Sequence, residues 1–227
     1  MPLSMRGRRI GVSGGSGISP PPTDGLIAYW TMDNINGATL EDELNTYDAT
    51  IVGAIQTTGS LGHIGEALNF DGTDDYFYVN NAGLNLSVFS ISMWIKSDDT
   101  AYTNERCLFS TTNATNVNGT LSLQVDDSSN ALQCLLHAGA VINGTTQITN
   151  TNWHHVVFTR ANDGSVVIWL DNTNEVTGTL SAPSAYVQFQ IGKGHTAYGS
   201  WDGLIDHVRV YNRVVTLEEV NSLFMES

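Results

Sequence analysis

The chain has 227 residues, 41% of them hydrophobic, which is long and apolar enough for one large domain with its own core. Nine basic residues against 23 acidic ones give a formal net charge of −14, which argues against a nucleic-acid partner because phosphate binding rests on clustered Lys and Arg. No stretch approaches the roughly 20 apolar residues of a membrane span, and the opening "MPLSMRGRRIGVSGGSG" lacks the apolar core of a secretory signal.

Residues 1–23 come first and are rich in Gly, Ser and Pro, ending in "SPPPT". They read as an extended arm with a polyproline hinge. Arg6, Arg8 and Arg9 lie here and no acid precedes Asp24, so the arm carries +3 and the remainder 6 − 23 = −17. The three arginines are the expected assembly anchor.

Residues 24–227 form the expected domain. Short alternating segments separated by Gly, Asn, Asp and Ser clusters predict strands over 26–32, 49–52, 67–70, 76–79, 89–96, 107–111, 120–125, 132–137, 153–160, 165–170, 186–191 and 203–211. So many strands without intervening helices predict an all-β, antiparallel two-sheet sandwich or jelly roll. Asp163-Gly164 suits a type I′ hairpin turn. Thr216 and Glu219 make a capping box for a short C-terminal helix. Leu217, Val220 and Phe224 give that helix one apolar stripe, expected to close an open end of the sandwich.

Cys107 and Cys134 lie in separate strands with a third between them in sequence. In a meander they stand two strand spacings apart, roughly 9 to 10 Å, beyond a disulfide's reach, and are expected as buried free thiols.

In "FSISMWIK", Phe89, Ile91, Met93 and Ile95 share one face, which predicts packing against an opposed sheet. Trp153, His154 and His155 are consecutive, and adjacent strand residues point apart, so they do not converge on one reaction centre. In "WDGLIDHVRVYNR", strict alternation places Asp206 on the side of Leu204, Val208 and Val210. A carboxylate there needs hydrogen bonds or a cation.

The phrases "GLIAYWTMD", "GEALNFDGTDDYFYV", "FSISMWIKSDD", "NWHHVVFTR" with "DGSVVIWLDN", and "DGLIDHVRVYNRVVTLEEV" occur in the order of LamG-like, concanavalin A-like jelly-roll domains. The chain resembles that family over residues 25–224. The resemblance implies two stacked antiparallel sheets, with the first and last strands as neighbours. It gives Trp153 and the histidines after it a structural role. It also implies structural calcium: Asp206 matches an acidic last-strand position that helps hold the ion in related glucanases, with Asp33 and Asp42 as further ligands. Calcium takes six to eight oxygen ligands. The loop "EDELNTYDAT" departs from the family's pattern in having no Gly. Asp71, Asp74 and Asp75 read as an Asp-Gly turn.

Catalysis is not expected. A retaining glycosidase needs two carboxylates roughly 5 Å apart; the Glu-x-Asp-x-x-Glu of related glucanases is absent, and "LEDEL" places its acids consecutively. H-E-x-x-H and CxxC are absent too. For ligand binding, the glycine-rich "GKGHTAYGSWDG" offers His195, Tyr198 and Trp201, with Tyr102 and Asn104 as neighbours. The expected function is a non-catalytic virion component, a bacteriophage head-decoration or tail-fibre protein. The arm then binds other virion or assembly proteins, and the jelly roll is displayed within a homo-oligomer or larger assembly. The alternatives are a free lectin or adhesin that meets cell-surface glycans, and a glycoside hydrolase of the same fold.

Overall fold

A computed structural model describes residues 19–59, 61–80, 87–112, 120–137, 139–183, 185–194 and 199–226. Arg6, Arg8, Arg9, His195 and Tyr198 lie outside the described residues.

In chain order the strands are β1 (Leu26–Trp30), β2 (Ile35–Asn36), β3 (Thr39–Leu40), β4 (Ala49–Val52), β5 (Ile55–Gln56), β6 (Leu68–Asp71), β7 (Tyr76–Asn80), β8 (Phe89–Ser97), β9 (Arg106–Thr112), β10 (Leu121–Val125), β11 (Ala131–Leu136), β12 (Val141–Gln147), β13 (Trp153–Arg160), β14 (Ser165–Leu170), β15 (Thr173–Thr179), β16 (Gln188–Ile191) and β17 (Asp202–Tyr211). A single helix, α1 (Leu217–Phe224), follows them among the described residues. The first sheet runs β15-β14-β13-β8-β17-β6-β5, with β1 also on β17, and the second runs β12-β11-β10-β9-β16-β7-β4-β3-β2. The named strands pair antiparallel throughout, with one isolated parallel bridge between Cys107 and Ser200, and the first and last strands are neighbours as expected.

The core lies between the two sheets. Phe89, Ile91, Met93 and Ile95 enter it from β8, and Phe77, Val79, Phe109, Leu123, Phe189 and Ile191 meet them from the second sheet. Phe109 stacks on Phe189 at 5.7 Å between ring centroids and reaches Phe158 of β13 at 5.7 Å, joining the two layers. Each such side chain contributes about 1.5–3 kcal/mol by leaving water. Cys107 and Cys134 are buried and free.

Four features differ from the sequence expectation. β12 and β15 are edge strands whose outward residues are mostly polar, so their apolar signal is weak; Glu175 of β15 accepts from the N–H groups of Thr145 and Thr146 of β12 where the two edges meet. The β13–β14 turn is not type I′, because Gly164 has a positive φ and Asp163 does not. The capping box is present, but α1 closes no end of the sandwich. It lies on the outer face of the first sheet, where Val220 and Leu223 pack on Val157, Tyr211 and Trp169. Finally, β17 does not alternate strictly. Asp206 stands opposite Trp94 and Arg209 opposite Ser92, so three steps along β17 match two along β8.

Candidate functional site

That extra residue is a β-bulge at His207, whose φ is +48°. One inserted residue reverses the alternation. Ile205, Val208 and Val210 therefore point into the core, while Asp206 pairs with Trp94 on the outer face of the first sheet. The expected grouping of Asp206 with Val208 and Val210 is thus corrected.

Asp206 is nevertheless fully buried, because the loop over residues 61–66 covers it. Its Oδ2 accepts from the Ile64 N–H at 3.1 Å and its Oδ1 from the His207 N–H at 2.7 Å. Burial pushes its pKa up to about 7; the Ile64, His207 and His63 N–H groups pull it back, and the nearby Asp33 charge raises it. Asp33 follows β1, is exposed, and accepts from the Glu66 N–H at 2.8 Å. The loop is pressed against both carboxylates. A Cβ on Gly62 would lie 2.8 Å from Asp206 Oδ2, and one on Gly65, at φ +70°, would lie 2.5 Å from Asp33 Oδ1.

Asp42 does not join this pair. It is buried, and its Oδ1 accepts from the N–H groups of Tyr29 (2.8 Å) and Leu44 (3.3 Å), its Oδ2 from those of Thr46 (3.0 Å) and Tyr47 (2.9 Å). It shapes the loop after β3 and ties that loop to β1. Among the described residues, the three acids whose oxygens lie within 4.8 Å of one another are Asp71, Asp74 and Asp75, not Asp33, Asp42 and Asp206. In that turn Asp75 accepts from the Asp71 N–H and Asp71 from the Thr73 N–H.

The expected rim site is also redrawn. Trp201 is fully buried in the core, with its indole N–H donating to the Leu204 carbonyl at 3.2 Å. Tyr102 is buried in the same core. Neither ring is open for stacking on a ligand. Asn104 is exposed beside Gly199, at the foot of the glycine-rich loop. His154 and His155 point apart: the first meets Asp171 at 2.7 Å, the second meets Ser92 Oγ at 2.8 Å with burial pushing its pKa down to about 3.

Polar side chains line the outer face of the second sheet: Thr50, Asn80 and Asn143 are exposed, Tyr76, Tyr78, Gln133 and Gln188 partly buried, and Ser110, Ser122, Gln124 and Gln190 buried. The register lines up Thr50, Tyr78, Gln190, Ser110, Ser122 and Leu135 across adjacent strands. Tyr76 and Tyr78, both half-buried, have ring centroids 5.8 Å apart, and the Lys193 ammonium sits 4.5 Å over the Tyr76 ring. Gln190 Nε2 donates to Gln188 Oε1 (3.1 Å), and Gln188 Nε2 to Asn80 Oδ1 (3.2 Å). On the other flank, Gln124 Nε2 donates to Gln133 Oε1 (3.0 Å) and Gln133 Nε2 to Asn143 Oδ1 (2.8 Å). These residues alternate with core residues in "YFYVN", "QFQI" and "LSLQV". The period-two signal was therefore present in the sequence.

The chain belongs to the concanavalin A-like lectin/glucanases superfamily, whose laminin-G-type family model matches residues 71–221. No curated protein matches its sequence. Among solved structures it is similar to domain 4 of AbnA, a GH43 extracellular arabinanase from Geobacillus stearothermophilus, in complex with arabinotriose: TM-score 0.69, 20% identity, over 87% of this chain and 97% of that one. It is also similar to the Trypanosoma rangeli sialidase in complex with 2,3-difluorosialic acid, with TM-score 0.73 and 19% identity over 98% of this chain. The chain spans 36% of that sialidase. Likeness at these identities shows the fold.

Proposed function

We propose that this chain is a non-catalytic carbohydrate-binding module whose ligand lies on the outer face of the second sheet. The observation that carries the reading is the half-exposed Tyr76–Tyr78 pair beside the Asn80, Gln188 and Gln190 amides. Sugar sites combine an apolar ring surface with a few fixed polar groups, and this face offers both on adjacent strands. The arabinotriose bound to the similar arabinanase domain is in keeping with it. A hydrolase would need paired carboxylates, whereas the described residues of this face supply amides, hydroxyls and tyrosines. The test is calorimetric titration of the full chain with neutral oligosaccharides. Binding that Tyr78→Ala removes supports the reading, and a panel without any binding overturns it.

Structural calcium belongs to the same proposal, held by Asp33 and Asp206. The exposed Asp33 carboxylate and the buried Asp206 carboxylate repel each other, and both lie against the backbone of Gly62 and Gly65, an arrangement that suits a cation. The ion would supply positive charge that keeps Asp206 ionised and would fasten the 62–66 loop to β1 and β17. The finer reading, a virion decoration or fibre protein anchored by residues 1–23, draws support from where the arm joins. Tyr211 Oη donates to the Pro22 carbonyl at 3.1 Å and Arg213 Nε to the Asp24 carbonyl at 2.9 Å. The join thus lies by the first sheet. Deleting residues 1–18 should abolish incorporation into a particle and leave the domain folded; assembly without them would refute the anchor.

A further inference from the structure

The outer face of the first sheet is covered over only part of its extent. α1 and the loop over residues 61–66 lie on its middle, where Phe224 and His63 stack on Trp94 at 5.8 and 3.5 Å. Toward the Asp202 end of β17 the register sets five side chains in one row across five strands: Trp153, Lys96, Leu204, Asn69 and Ile55. None of the five is buried, and Ile55 is 71% exposed. The bordering loop adds Leu61, 59% exposed, while its His63 meets Trp153 edge-on at 6.0 Å. Single apolar residues on a surface are ordinary. A contiguous row of Trp, Leu and Ile is a patch of the kind that meets a partner.

One pleat beyond the row the surface is acidic. Asp71 follows Asn69 by two residues on the same face of β6, Asp202 is its register partner on β17, and the Asp98 N–H donates to the Asp202 carbonyl at 3.1 Å. Arg106 answers Asp99 at 2.8 Å and Asp202 at 3.5 Å, whereas Asp71 and Asp98 stand in no ion pair among the described residues. Burial, and after it the charges of Asp99, Asp98 and Asp71, raises the Asp202 carboxyl against the pull of Arg106. Lys96 is the row's own cation, and three aspartates outweigh it. The face therefore suits a partner that brings cations and aliphatic side chains together. The chain's own arm has that chemistry: "LSMRGRRIGV", residues 3–12, sets Arg6, Arg8 and Arg9 among Leu3, Met5, Ile10 and Val12.

We infer that this patch seats residues 3–12 of a second copy of the chain, with the arginines toward the aspartates and the aliphatics on Leu204, Ile55 and Leu61. The inference rests on the reading of the arm as an anchor and names what the anchor meets. Route and length favour a second copy over the same chain. The arm is fastened where Tyr211 holds Pro22, seven residues and about 23 Å along β17 from Leu204. α1 and the 61–66 loop stand on that face in between. From Ile10 to Pro22 the chain extends up to about 40 Å, enough to leave one domain and reach the next. Arm and seat are different surfaces, so the contact is heterologous and repeats from copy to copy, closing a ring or running on as a filament.

The experiment is sedimentation velocity of the full chain from micromolar to near-millimolar concentration, at low and high salt. Three variants accompany it: Ile55→Asp, an arm reversal (Arg6→Asp, Arg8→Asp and Arg9→Asp together) and a seat reversal (Asn69→Lys with Asp98→Lys). The substituted body residues are exposed, so melting temperatures should stay near the parent's. The parent should associate as concentration rises, less so in high salt, and Ile55→Asp should weaken association by about tenfold or more. Each reversed chain should be monomeric alone. An equimolar mixture of the two should pair, because the acidic arm of one meets the basic seat of the other, a recovery that damage to the fold does not produce. A parent that stays monomeric throughout overturns the inference, as does association indifferent to all three variants, or a mixture that does not pair. If deleting residues 1–18 abolishes incorporation into a particle while the parent alone stays monomeric, the anchor reading stands with another partner and only this inference falls.

Discussion

His207 holds a left-handed backbone directly after Asp206 and donates its own N–H to that carboxylate at 2.7 Å. A non-glycine residue there costs roughly 1–2 kcal/mol. The conformation is held from the side chain: Tyr29 Oη meets His207 Nδ1 at 2.7 Å, and the Arg209 guanidinium lies over the Tyr29 ring at 3.9 Å. The bulge turns Asp206 out of the core and under the 62–66 loop, toward Asp33. One backbone kink thus creates the acidic pair that the proposed calcium would join.

Without a cation, that pair sets a pH dependence. Burial raises the Asp206 carboxyl from 3.8 to about 7 in the fold. As pH rises, the unfolded chain releases this proton first, so the contribution to stability is complete below about pH 4 and is lost progressively up to about pH 7, at no more than about 1.4 kcal/mol per pH unit. Urea unfolding of chelator-treated protein at stepped pH should show that decline, and Asp206→Asn should flatten it. An unchanged slope in the variant would assign the decline to other groups.

Calcium should act in the opposite sense, because it needs Asp206 ionised. Adding it should raise the melting temperature, more at pH 8 than at pH 5. At a free concentration about 100-fold above Kd the gain is about 2.7 kcal/mol. Asp33→Asn keeps an acceptor for the Glu66 N–H, so it should retain the metal-free stability and lose the calcium response. A melting temperature indifferent to calcium removes the metal assignment.

Asp42 separates a structural carboxylate from a ligand. Its removal leaves the N–H groups of Tyr29, Leu44, Thr46 and Tyr47 without their acceptor. Asp42→Ala should therefore cost about 3–5 kcal/mol in urea unfolding, since charge-assisted bonds contribute about 1.5–3 kcal/mol each and some of the freed N–H groups regain water. The calcium response should persist. Were it to vanish in a variant that still folds, Asp42 would belong to the metal set after all.

The fold was legible because its signals are local. "FSISMWIK" alternates without interruption, and the Thr216–Glu219 box lies within one helical turn. The site was less so. A bulge depends on one residue's φ, and nothing in "LIDHVRV" marks His207 as left-handed, so alternation was carried straight through it. Asp42's partners are backbone N–H groups of the loop that follows it and of β1, which residue types do not reveal. Trp201 sits in "GSWDG" and Tyr102 in "TAYTN", surroundings that suggest surface, while the fold turns both rings inward. Tyr76 and Tyr78 were readable from period two, but their value emerges only when β16 brings the Gln188 and Gln190 amides alongside.

That reversal of the aromatic residues gives the last prediction. Trp201 lies in the core, so Trp201→Ala should cost about 3–5 kcal/mol and lower the melting temperature. Glycan affinity per folded molecule should stay unchanged. Tyr78 is half-exposed on the outer face, so Tyr78→Ala should cost no more than about 1 kcal/mol and weaken glycan binding by about tenfold or more, as loss of a central aromatic contact does. Paired thermal melts and titrations of the two variants decide the matter, because the two positions predict opposite outcomes in the two measurements. If Trp201→Ala folds and fails to bind while Tyr78→Ala binds normally, the ligand lies at the rim by the glycine-rich loop. The second sheet's outer face would then be no more than a solvated surface.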